Sequence, residues 1–496
     1  MNLKAVARAA VIAVAVAGCQ DTPLPTAGPS PDGGAGSALS SAASTNQDLR
    51  SGHRPEEVHS VGLAAAVPAF GGWYMDRPGD IHVWVTDMRQ APAARAAAAR
   101  QLRELALSRH QKPNPEIFIH EGAFSWDQLS RWRDQLEAAI ADLPELASLD
   151  INEKSNRLII SAAHAGHVAA LRAKVARLGV PDGATIMIEE PCDPTMVTCE
   201  EPPPTEPDPC EVDPGSCGDD GEVPYAPDPS QSCSPDMSCS SGPIDWQETT
   251  LASRHSLVRG GIRTSYMKYF DEVAMCTLGF WVRLADGSLR MLTNSHCDDM
   301  QGGLGTYNTL GQPFMTTPIG TEVSDPAYAS RCGWLKLRRC RNSDAALYVM
   351  NDASRSIGFG LIARPRQSAA YGQGPGTLEI DPSIPSLRIV REATPIEGQE
   401  VDKVGSTTGW TWSTVTDVCK TFYQSNSLGF YCQNRANYWN DMGDSGSPVF
   451  VWLGYDVALV GVHHSRGYAK FALNAYGGWY SPLSRIRMDL GNISVF

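Results

Sequence analysis

The chain has 496 residues, a formal net charge of −14 and only 19% charged residues, against the roughly 25% usual for soluble domains. Its length predicts about three units, and the acidic balance excludes a nucleic-acid binder carried by a basic surface. Cysteine numbers 13, an odd count that leaves one thiol over in an oxidising compartment.

Lys4 and Arg8 precede an apolar run from Ala9 to Ala17 that ends in small residues before a cysteine. So short a run cannot cross a bilayer, which takes about 20 residues, and it reads as an export signal. No later window predicts a membrane span. Val16-Ala17-Gly18-Cys19 resembles the lipobox of bacterial lipoprotein signal peptides. The resemblance implies a signal over 1–18, lipidation of Cys19 and a membrane attachment through that lipid in the bacterial cell envelope. Leu is commoner in the family where Val16 stands, and plain secretion after ordinary signal cleavage is the alternative. Residues 19–54 turn to Pro, Gly, Ser, Ala and Thr, the composition of a flexible tether.

Residues 55–190 alternate in period. Strand-like His82 to Thr86 is followed by a helical Ala-Arg run from Ala91 to Ser108, then by strand-like Glu116 to His120. A helix is predicted from Ser125 to Ala141, with Leu129, Trp132, Leu136 and Ile140 on one face. Strands around 148–151 and 157–161, a helix over 167–178 and a strand over 185–189 complete a small α/β or α+β domain. Its position and element order loosely resemble the pro-regions of bacterial secreted proteases, which implies an intramolecular inhibitor or folding chaperone.

Residues 191–252 change character. From Pro191 to Pro243, 13 of 53 residues are proline and six are cysteine, the composition of an extended linker. Between Leu178 and Ser253 there are 17 acidic residues and no Lys or Arg, so the remainder of the chain carries +3. Calcium binding or a basic partner would use such charge, but no EF-hand spacing is present and a solvated, self-repelling spacer is the simpler reading. The cysteines fall in three couples, Cys192 with Cys199, Cys210 with Cys217 and Cys233 with Cys239. None has zinc-ribbon spacing, and export favours small disulfide loops.

The chemistry lies in residues 253–496. Thr293-Asn-Ser-His296-Cys297 ends an apolar stretch, Asn342-Ser-Asp344 opens another, and Asp441-Met-Gly443-Asp444-Ser445-Gly446-Ser447-Pro448 carries a serine between glycines. His precedes Asp by 48 residues and Asp precedes Ser by 101. A serine hydroxyl is a weak nucleophile at neutral pH and needs a base, which in turn needs an orienting acid. In this order the three segments resemble trypsin-like and chymotrypsin-like serine proteases, particularly the bacterial branch, over about the last 240 residues. The resemblance implies a fold of two six-stranded antiparallel β-barrels, a protein or peptide substrate, and catalysis by His296, Asp344 and Ser445. It also implies an oxyanion hole from the N–H groups of Gly443 and Ser445, a pocket walled by Trp439, His463 and Ser465, and a disulfide between Cys276 and Cys297. Asp298 and Asp299 are rivals to Asp344 that lie too near His296 in sequence to reach it from a separate strand. In the animal enzymes the residue at Asp444 pairs with a freed amino terminus, and in bacterial ones with other groups; which holds here is open from sequence.

Cys332 with Cys340 and Cys419 with Cys432 read as hairpin staples. Trp439 in place of Asp argues against a preference for Lys or Arg, and His463 stands where glutamate-specific relatives carry a substrate-binding histidine; ordinary packing is its other reading. No HExxH and no phosphate loop is present, so neither a metal nor another cofactor is expected. A protease-like fold used as a surface binding or adhesion module, or a locked zymogen, is the competing function.

Overall fold

The structure is a computed structural model that describes residues 54–108, 111–141, 143, 145–162, 165–189, 248–269, 272–328, 330–332, 338–370, 372–424, 428–468 and 476–496. The export signal, Cys19, the tether and the six linker cysteines lie outside the described residues.

The N-terminal part repeats one pattern twice. Its first half runs α1 (Val58–Ala66), β1 (Phe70–Met75), β2 (Ile81–Val85), α2 (Ala91–Leu102) and β3 (Ile117–Glu121). The second runs α3 (Trp126–Ile140), β4 (Leu146–Asn152), β5 (Arg157–Ala162), α4 (Val168–Arg177) and β6 (Thr185–Glu189). In each half the first two strands are antiparallel and the helix crosses over to a parallel third. The expected helices and strands are present, with α2 ending six residues short of Ser108. The sequence reading left α1 and β1 unassigned, because Gly71-Gly72 dilutes the strand signal. Helix α3 begins where a capping box predicts: Ser125 Oγ accepts from Gln128 N at 3.3 Å, and Gln128 Oε1 accepts from Ser125 N at 2.9 Å. It buries Trp126, Leu129, Leu136 and Ile140 in a core shared with Phe70, Trp73, Ile81 and Leu158.

Among the described residues, Glu248 onward is β-rich, with one helix, α5 (Leu483–Leu490). Where two six-stranded barrels were expected, the described strands form two large sheets. One sheet has eight strands, all antiparallel, and the other has 15 strands and is mixed. The second sheet exceeds the expected size partly because β4, β5 and β6 join it, with Leu149 opposite Thr421 and Ser148 opposite Phe422. The strands of the N-terminal part are therefore divided between two sheets around one apolar core: β1, β2 and β3 form their own, and the other three extend the C-terminal one. Between the two large sheets lies a single apolar core that includes Phe280, Trp281, Leu292 and Leu347 from the first and Val404, Phe450 and Val462 from the second. Each such buried side chain contributes about 1.5–3 kcal/mol, and Trp281 also satisfies its indole N–H on Val258 O at 2.7 Å.

Among the described residues no helix is long and apolar enough to cross a membrane.

Candidate active site

Strand pairing brings the first two candidate residues together. Leu289–Thr293 and Ala346–Met350 are neighbours in the eight-stranded sheet, with Thr293 opposite Ala346. His296 follows the first and Asp344 precedes the second, so both stand at the same end. Asn294 fixes the approach, its Nδ2 donating to Asp344 O at 2.6 Å. His296 Nδ1 lies 2.5 Å from Asp344 Oδ2, and His296 N donates to Asp344 Oδ1 at 3.1 Å. The other ring nitrogen, Nε2, is 2.8 Å from Ser445 Oγ. Asp298 and Asp299 instead turn to the loop behind, bonding to Asp299 N and to Thr306 N respectively.

Asp344 is 1% exposed. Burial alone would raise its pKa, yet His296 beside it, with lesser help from His464 and Arg341, holds it at about 2. Burial likewise disfavours an imidazolium at His296, and the Asp344 carboxylate outweighs this, placing the ring above its ordinary 6.5. Ser481, which the sequence reading missed, holds the acid from behind: its Oγ accepts from Asp344 N at 3.0 Å and donates to Gln433 Oε1 at 2.7 Å.

The serine loop is fixed at several points. Thr277 N donates to Ser445 O at 2.7 Å, Gly446 N to His463 O at 2.9 Å, and Thr277 Oγ1 to Gly443 O at 2.8 Å. Gly443 has φ +95°, and a Cβ there would fall 2.4 Å from Thr407 Oγ1, so the position requires glycine. Among the described residues neither the Gly443 nor the Ser445 N–H donates to a protein acceptor.

The cation that meets Asp444 is Lys403, from the strand Glu400–Gly405. Lys403 Nζ lies 2.9 Å from Asp444 Oδ2, and both side chains are fully buried. Thr407 N, Thr408 N and Asp441 N each donate to the same carboxylate at 3.0 Å. Burial opposes ionisation of the acid, and Lys403 with these donors nevertheless keeps Asp444 below the usual carboxylate range. Sequence offered one signal for Lys403, a charge within Val401-Asp402-Lys403-Val404, but not that every residue of that strand is buried.

Beside the loop, His463 N donates to Ser447 O at 2.9 Å, and its Nδ1 meets the Tyr438 hydroxyl at 3.2 Å. Burial, then Lys403, pushes His463 well below its ordinary pKa, so its ring is neutral. Gly478 lies against it, where a Cβ would fall 2.8 Å from the ring. Trp439 O accepts from Thr411 Oγ1 at 2.7 Å, and Ser465 lies opposite Trp479 after a bulge.

Cys276 pairs with Cys297 and Cys419 with Cys432, as expected. Cys340 is disulfide-bonded, and the side chain of its expected partner Cys332 lies outside the described residues. Among the described residues two groups of metal-ligand atoms meet, Cys276 with His296 and Cys297, and Glu56 with Cys419 and Cys432. In both, the sulfurs are consumed in a disulfide.

No family model matches the chain, and no curated protein matches it. Solved structures that resemble it include proteases. The chain is similar to a Nocardiopsis protease at 18% identity and TM-score 0.33, over 48% of this chain and 98% of that one. It is similar to protease A of Thermobifida fusca at 18% identity and TM-score 0.33, over 48% of this chain and 100% of the other. A third is a glutamic acid specific serine protease described as using a histidine triad in substrate binding, at 18% identity and TM-score 0.34 over 48% and 100% of the two chains.

Proposed function

We propose that residues 253–496 are a serine endopeptidase. The observation that carries this is His296, whose two ring nitrogens lie between the Asp344 carboxylate and the Ser445 hydroxyl. Ser445 Oγ attacks the peptide carbonyl carbon while its proton passes to His296 Nε2. Asp344 holds the Nδ1–H tautomer and stabilises the imidazolium. The N–H groups of Gly443 and Ser445 bind the oxyanion, each contributing about 2.7–4 kcal/mol in sites of this kind. The imidazolium then protonates the leaving amine, and water repeats the sequence on the acyl-enzyme. The export signal, the lipid on Cys19 and an N-terminal part that acts as intramolecular chaperone or inhibitor complete the reading.

A fluorophosphonate probe should label the wild-type chain and not Ser445→Ala. Absence of label on folded wild-type protein would favour the binding module or a locked zymogen.

His463, with Trp439 and Ser465, lines the substrate pocket in this reading. Its neutral ring can donate to a carboxylate, which favours acidic side chains before the cleaved bond. A peptide-library profile lacking enrichment of Glu and Asp there would reject the preference.

A further inference from the structure

The joint between the N-terminal and C-terminal parts buries carboxyl groups that the proposed catalysis does not use. Asp150, on β4, is 1% exposed, and neither of its carboxylate oxygens has a hydrogen-bond partner. Glu153, in the turn after β4, is 6% exposed and accepts from Ser60 Oγ at 2.6 Å. Glu397 comes from the C-terminal part and is 7% exposed. It reaches into the same turn, accepting from Glu153 N at 3.1 Å, Lys154 N at 3.2 Å and Asn152 Nδ2 at 3.3 Å.

The charges around them do not neutralise this set. Asp417, on the hairpin that β4 joins, takes Lys420 Nζ at 3.1 Å and also faces Arg435. On the N-terminal side Glu57 is paired with Arg133. Lys154 faces Glu397 from an exposed position. Asp150 thus faces Asp417, Glu397 and Glu57, with Lys420 the cation in reach. Glu153 faces Glu397, Glu57 and Asp150, and Tyr74 of β1 faces Glu397. Three further anions cannot be held there without counter-ions, since each unpaired buried charge costs several kcal/mol; a protonated carboxyl avoids that cost.

We propose that the joint is an acid-dependent clamp, in which the N-terminal part stays docked while Asp150, Glu153 and Glu397 carry protons and loosens as they lose them. The clamp concerns docking alone and does not depend on whether Ser445 attacks peptides.

The direction follows from linkage. Burial first, then the charge of Asp417, pushes Glu397 from its ordinary 4.5 to about 8 in the docked state. Asp150 and Glu153 are raised for the same kind of reason. An acid whose docked pKa lies above its free value favours docking fully below the free value, and the effect is lost as pH rises through the docked one. For Glu397 that window runs from 4.5 to about 8. Each proton released within it weakens docking about tenfold per pH unit.

The test uses the full-length Ser445→Ala chain and amide hydrogen exchange, expressed as protection factors so that the intrinsic pH dependence of exchange is removed. Protection at Leu149 and Thr421, which face each other across the joint, should fall at least about tenfold between pH 5 and 8. Protection at Val282 and Leu292, in the other sheet, should stay constant. The additional changes Asp150→Asn and Glu397→Gln imitate the protonated groups and should keep the joint protected at pH 8. Flat protection at Leu149 and Thr421 in the parent chain, or the same fall in the doubly amidated one, overturns the clamp. If the double change also strips Val282 of protection, Glu397→Gln alone decides: a smaller fall supports the clamp, and an unchanged one overturns it.

Discussion

Lys403 is where a single side chain decides whether the serine loop exists in its observed form. It offers an internal ammonium to Asp444, so the loop's anchor does not require a freed amino terminus. Lys403→Met would leave a carboxylate fully buried with no cation, a change that costs about 3–5 kcal/mol in comparable sites. Chemical denaturation should register that loss, and fluorophosphonate labelling of Ser445 should fall with it. Adding Asp444→Asn should restore much of the stability but not the labelling, because the carboxylate also receives the Thr407, Thr408 and Asp441 amides. Unchanged stability in Lys403→Met would mean that the pair contributes little. His296, Asp344 and Ser445 stood out in sequence because a nucleophile, a base and an orienting acid require those residue types, and the family resemblance supplied their order. Lys403 did not, since Glu400-Val-Asp-Lys-Val-Gly405 carries charges on both faces, which local pattern reads as exposed, yet every residue of it is buried. The cover comes from elements distant in sequence, and Ser481 was hidden for the same reason.

At the scale of elements, the loop that carries Glu397 is closed down on β1. Met75 N donates to Glu397 O at 2.8 Å, and Gln399 Nε2 donates to Ala106 O at 2.7 Å. Between those contacts Gly398 has φ +85°, and a Cβ would fall 1.7 Å from Met75 O. Gly398→Ala combines a left-handed backbone, worth about 1–2 kcal/mol against a non-glycine residue, with a clash that only separation of loop and strand relieves. In the Ser445→Ala background the variant should unfold at least about 2 kcal/mol more easily. An unchanged midpoint in denaturant would show the loop free to move. Helix α3 and the strands from β2 onward were readable because periodicity and capping are local. The partition of β4, β5 and β6 into the larger sheet was not, because the pairing of Leu149 with Thr421 joins segments that no local pattern relates.

For the whole molecule, among the described residues the two parts meet through the Glu397 loop and through three further kinds of contact. One is the shared sheet. A second is the pairing of Glu56 with Arg485 of α5, at 2.9 Å through both Nε and Nη2. The third is apolar, with Ile396 and Cys340 entering the core of the N-terminal part. The shared sheet has a further consequence. While β4 is in place, the hairpin backbone at Phe422 is paired on both sides, by Ser148 of β4 and by Phe430. Once the N-terminal part leaves, one row of N–H and C=O groups becomes a bare edge, a template on which strands of other chains can add. A C-terminal part prepared alone would therefore carry a sticky seam, and its solubility would depend on what caps that seam as much as on the integrity of its core.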